Sequence, residues 1–154
     1  MTIKQLLNTS KYNELDLPES DEMVALEEFK AFCQKHNGYL VAQNASFDMK
    51  MIGTKIGKIP NKGVLDTMVF GRIFLIPAIK TLSETGVEEM KGILETAERS
   101  GRDRDIAVNL GALHKLLKLQ VQSWHQGLKD VESIVNLLQK MAAIFDRYKE
   151  ELSK

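Results

Sequence analysis

A single cysteine, Cys33, excludes an internal disulfide, and with no second cysteine a zinc site built on cysteine pairs is excluded as well. The lone thiol fits a reducing compartment, so a cytoplasmic location is expected. No run of about 18 apolar residues occurs, so no transmembrane helix and no membrane partner are expected. The stretch Met1 to Leu7 has no apolar core and no small-residue cleavage site, so no signal peptide is expected either. Excess charge of one sign is also missing, since 21 Lys and Arg face 21 Asp and Glu. That balance excludes a broad electropositive face for nucleic acid, but not a small basic cleft around acidic groups. There is no internal repeat and no low-complexity segment. What is present, 154 residues with 44% apolar and 27% charged, is enough for one domain spanning 1–154 with a real core.

The pattern along the chain alternates helix and strand. Ser20 suits an N-cap, with Asp21 and Glu22 in the first turn, and Met23, Leu26, Phe29 and Cys33 form one apolar helical face. Asn37-Gly38 ends that helix. Tyr39 to Ala42 reads as a buried strand. A short helix follows around Asp48, weakened by Gly53 and Gly57 and closed by the turn Pro60 to Gly63. Val64-Leu65 begins a second strand that runs into Asp66-Thr67, and a helix through Met68, Phe70, Ile73 and Phe74 stops before Pro77. Residues 79–109 hold a helix from Val87 to Glu98 and a polar loop, RSGRDRD, expected to be solvated and mobile. Asn109 suits the cap of a leucine-rich helix. The last helix, 129–152, has the strongest periodicity and is expected to bury Val131, Ile134, Val135, Leu138, Met141, Ala142 and Phe145. The fold class is therefore α/β, helix-rich and short of strands.

Few stretches carry chemistry. GTKIGK, Gly53 to Lys58, is one residue short of a phosphate loop, and Ile59 stands where a hydroxyl is needed. His36 and His114 lie on helices without a partner at ligand spacing and read as ordinary surface or core histidines. The sequons at Asn8 and Asn44 carry no meaning in a cytoplasmic chain. His125 is different, because His-x-x-x-x-Asp places it and Asp130 at one end of the last helix, with the carboxylate on the side of Ile134. A carboxylate facing a core needs a partner or a metal. By itself this pattern fits a plain structural role too, with Asp130 in a salt bridge and His125 in a loop.

NASFDMKMI (Asn44 to Ile52), LDTMVFGRIFLIP (Leu65 to Pro77), LGALHKLL (Leu110 to Leu117) and HQGLKDVESIVNLL (His125 to Leu138), in that order, resemble the DEDDh 3′→5′ exonucleases, DnaQ-like members of the ribonuclease-H-like superfamily. The resemblance runs from about Ser20 to Phe145. It implies a ribonuclease-H-like α/β fold and metal-dependent hydrolysis of phosphodiesters from the 3′ ends of single-stranded DNA or RNA. Asp48 and Asp130 would be ligands to Mg²⁺ or Mn²⁺, and His125 would be the general base. Asn44 and Phe47 would shape the nucleotide pocket, against plain roles as a strand-end cap and a core aromatic. The departures are as informative. The family's first motif, Asp-x-Glu on the first strand, has no counterpart, since Glu14-Leu15-Asp16 has the reverse order and no apolar strand around it. Gln43 stands where relatives often have histidine, and residues 79–109 form an enlarged insertion. The expectation is an N-terminally truncated exonuclease fold with an incomplete two-metal site. A second polypeptide supplying the missing strand, or self-association, would complete the sheet. The alternative is a catalytically inactive binding or scaffold subunit. Asp66 carries the plain expectation of capping the helix that follows it.

Overall fold

Tyr39–Ala42 forms β1 and Gly63–Asp66 forms β2, and the two run parallel with Ala42 opposite Asp66. Parallel neighbours cannot be joined by a tight turn, and the crossover here is the helix α2, Ala45–Ile56. These elements come from a computed structural model that describes residues 22–101, 104–120 and 127–154. The chain divides into two compact units, the first ending at Asp66 and the second beginning at Thr67.

In the first unit, α1 (Glu22–His36) packs against α2 over a small core of Cys33, Ile56 and Ile59, with Leu26, Leu40, Met49 and Ile52 half-buried around it. Asn37, at φ 41°, ends α1 as its sequence signals. Of the expected apolar face only Cys33 is buried, and Met23 and Phe29 remain exposed. Lys30 Nζ donates to the carbonyl of Ile56 at 2.8 Å and Lys55 pairs with Glu22, so polar contacts flank this small core. In the sheet, Leu40 faces the core while Tyr39 and Val41 point to the opposite, open face. Gly63 lies beneath the Tyr39 ring, where a Cβ would come within 3.1 Å of Cε1.

The second unit opens with one long helical stretch. Here α3 (Thr67–Phe70) passes through a π-helical turn at Gly71–Leu75 into α4, Ile76–Glu84. The helix therefore does not stop before Pro77. The N–H of Ile76 reaches back five residues to the Gly71 carbonyl, and this wider turn lets Pro77, which has no N–H, enter as an N-terminal residue of α4. Gly71 also permits close approach, because a Cβ there would lie 3.2 Å from Leu113 Cδ2. α5 (Glu88–Glu95) is shorter than its pattern implied. The stretch expected as a loop contains the antiparallel pair β3 (Arg99–Ser100) and β4 (Asp105–Ile106). Arg99, Ser100 and Asp105 stay exposed, so polar side chains mark solvation there without preventing backbone pairing.

Asn109 caps α6 (Leu110–Leu116), its Oδ1 accepting the Ala112 N–H at 2.9 Å. The last helix, α7, spans Gly127–Leu152. Its inward stripe is Leu137, Met141 and Ile144, whereas Val131 and Ala142 are exposed and Ile134, Val135, Leu138 and Phe145 are half-buried. α7 is apolar around more than half its circumference, so periodicity alone does not select the line that α4, α6 and the π turn cover. The core of this unit joins that stripe to Leu75, Ile79, Leu82, Met90, Ile93 and Leu113. Burying each such side chain contributes about 1.5–3 kcal/mol, an upper figure against a fully extended reference chain. Phe70, Phe74, Phe145 and Tyr148 form an aromatic edge to it, with neighbouring ring centroids 5.2–6.2 Å apart. The whole is a helix-rich α/β chain, and among the described residues no helix is long and apolar enough to cross a membrane.

Candidate functional site

Because β1 and β2 are parallel, their C-terminal ends emerge on the same side, and the sequence-predicted residues of the first unit collect there. The chain leaves β1 through Gln43 and Asn44 into α2. Asn44 adopts the left-handed conformation, φ 62° and ψ 49°, which Asn tolerates better than most residues. Its side chain makes no helix cap, and its Oδ1 instead accepts the Ser46 hydroxyl at 3.3 Å. The cap is a residue 22 positions later in the chain. Asp66, at the end of β2, accepts the Asn44 N–H on Oδ1 at 3.1 Å and the Ala45 N–H on Oδ2 at 2.8 Å. It therefore closes the helix before it, a role that the expectation of a cap for the following helix did not include. The positive N-terminus of α2, an anion site by construction, is filled by the protein's own carboxylate.

Phe47 is 61% exposed, which rules out the core role that an aromatic in this position would ordinarily have. Asp48 is exposed in the first turn of α2. Asn44, Phe47 and Asp48 are thus presented together, outside the carboxyl ends of parallel strands, where open α/β sheets bind ligands.

The other candidates belong to the second unit. Asp130 is half-buried near the start of α7, as its position on the helix implied. His125 lies outside the described residues. Beside the first turns of α7 is a polar cleft of about 150 Å³ lined by Leu119, Gln120, Lys129, Glu132, Ser133 and Asn136. Asp48 and Asp130 are hard oxygen donors of the type that magnesium takes. Each fits as a single ligand, but among the described residues no group of three or more His, Cys, Asp or Glu is placed to hold a metal. Neither carboxylate by itself makes a complete site.

The role of Asp66 escaped sequence reasoning, whereas His114 read as a surface or core histidine. The role of Asp66 depends on the register that sets it opposite Ala42, which no local pattern reveals. His114 is buried at 1% exposure, with ring nitrogens facing two backbone carbonyls. Its signal was present, since Leu110, Leu113, His114 and Leu117 share the spacing of one helix face. Comparison of the chain with protein-family models, curated proteins and solved structures finds no match.

Proposed function

We propose that this chain is the larger part of a 3′→5′ exonuclease of the DEDDh type, completed by an Asp-x-Glu strand that another segment or polypeptide supplies. The observation that carries this reading is the joint exposure of Asn44, Phe47 and Asp48 at the carboxyl end of β1. An exposed aromatic ring offers a stacking surface to a terminal base, an amide beside it can hydrogen-bond, and the next carboxylate can hold a cation. Asp48 and Asp130 would hold Mg²⁺ or Mn²⁺. Such ions, when bound, supply charge stabilisation to the attacking and leaving oxygens of phosphodiester hydrolysis. His125 would take a proton from the attacking water, work that a neutral imidazole does well near neutral pH. A sheet of only two strands leaves edges on which a completing strand or a second copy could pair.

A second reading, a binding or scaffold subunit without activity, is favoured by one observation. The described residues bring together no group of three metal-binding side chains, and the Asp66 carboxylate is committed to backbone N–H groups.

The deciding experiment supplies an Asp-x-Glu strand, in cis or in trans, and follows release of nucleotides from single-stranded DNA and RNA with Mg²⁺ or Mn²⁺. Stepwise loss from the 3′ end supports the enzyme. A completed protein that folds and binds nucleic acid, yet shows no metal-dependent hydrolysis, leaves the scaffold reading.

A further inference from the structure

Two histidines lie among the described residues, and they differ completely. His36 is exposed and rests against Phe32, with ring centroids 4.3 Å apart. His114 is sealed in the core of the second unit. Its Nδ1 lies 2.8 Å from the carbonyl oxygen of Leu110, in its own helix α6, and its Nε2 lies 3.1 Å from that of Ser133, on α7. A carbonyl carries two lone pairs, and within a helix the regular ladder uses one of them. The imidazole is therefore not rescuing stranded acceptors, and a leucine would fill the same apolar place without the cost of burying a polar ring. What the ring adds is direction, because a hydrogen bond constrains distance and angle where apolar packing constrains neither tightly.

The place where it acts is specific. Ser133 is three residues beyond Asp130, so the two lie on adjoining positions of one helix face. The tie therefore sets the height and rotation of the first turns of α7 against α6. A neutral imidazole has one N–H and can donate to only one carbonyl at a time, whereas an imidazolium donates to both.

We propose that His114 is a positioning residue for Asp130, holding the start of α7 to α6 through the Ser133 carbonyl. The role of Asp130 as a metal ligand rests on the exonuclease reading, but the tie does not. In the unaltered full chain, the Nε2–H of His114, the one facing Ser133, should exchange slowly enough to appear in a ¹H–¹⁵N spectrum, which an exposed imidazole does not allow. His114→Leu should remain helical, yet amide exchange from Asp130 to Leu137 should quicken at least about tenfold, while exchange around Leu82 changes little. His114→Gln, which keeps a donor, should restore part of that protection. A ring with no slow Nε2–H, including one whose slow proton sits on Nδ1, overturns the tie, and this holds even if His114→Leu fails to fold. Unchanged exchange in a folded His114→Leu overturns it as well. In the completed nuclease, His114→Leu should raise the Mg²⁺ concentration for half-maximal activity by about 10–100-fold, the range for partners that orient metal ligands, and leave KM for nucleic acid unchanged. His114→Gln should recover part of it. An unchanged Mg²⁺ requirement overturns the positioning role. If the completed, unaltered protein is inactive, the exonuclease reading falls and the positioning role with it, while the exchange data still stand for the tie.

Discussion

The Asp66 carboxylate accepts the Ala45 N–H at 2.8 Å, joining the end of β2 to the start of α2 across 21 positions of sequence. With the second bond, from Asn44, one side chain pins the turn that presents Phe47 and Asp48. It also secures a two-stranded parallel sheet, which would be marginal on strand pairing alone.

Asp66→Ala should therefore destabilise the first unit by about 1–2 kcal/mol, the cost of losing a strong N-cap, with Asp66→Asn losing less because its amide oxygen still accepts. Urea unfolding followed by circular dichroism measures it. A midpoint that does not move for Asp66→Ala would mean that the two bonds add nothing to the fold.

On α7 the inward stripe makes a sharp contrast. Leu137, fully buried, should cost about 2–5 kcal/mol on truncation to alanine. Val131, 47% exposed, should cost no more than about 0.5 kcal/mol. Equal losses in thermal or chemical denaturation would restore the face that periodicity alone selected.

Burial raises the pKa of the Cys33 thiol. Reaction with iodoacetamide at pH 8 should be slow in the folded chain and rapid in denaturant, since the thiolate is the nucleophile. The unfolded chain gives up this proton first, so the folded state holds more protons across the alkaline range. Stability should therefore fall as pH rises above the ordinary thiol range. Cys33→Ala should remove that part of the pH dependence, and an identical alkaline slope in the variant would assign it to other groups.

The proposed exonuclease activity, with Asp130 and Asp48 as metal ligands and His125 as base, is tested in the completed protein. Asp130→Ala should abolish hydrolysis by removing a metal ligand, and Asp48→Ala should come close to doing so. His125→Ala should lose about 10²–10⁴-fold, the contribution of a general base, and the deficit should shrink as pH rises because hydroxide replaces the base. A His125→Ala deficit that stays constant with pH, measured by nucleotide release, would take the base role away from His125.

Much was legible in the sequence because the signals were local. Asn37 ends α1, Asn109 caps α6, β1 starts and ends as its apolar run does, and the alternation of helix and strand reports an α/β chain. Each depends on a few adjoining residues and on backbone preferences that need no partner. The candidate residues were chosen in the same way, as residue types in order, and the structure places Phe47 and Asp48 at the surface. The rest was settled by contact between distant parts. The register of β1 with β2 made Asp66 the cap of the preceding helix. The π turn carried a helix through Pro77, and packing chose Leu137, Met141 and Ile144 from the many apolar residues of α7. Local propensity fixes which backbone states are cheap, but which side chain is buried and which polar group is paired depends on the surfaces that meet, and only the tertiary structure brings those together.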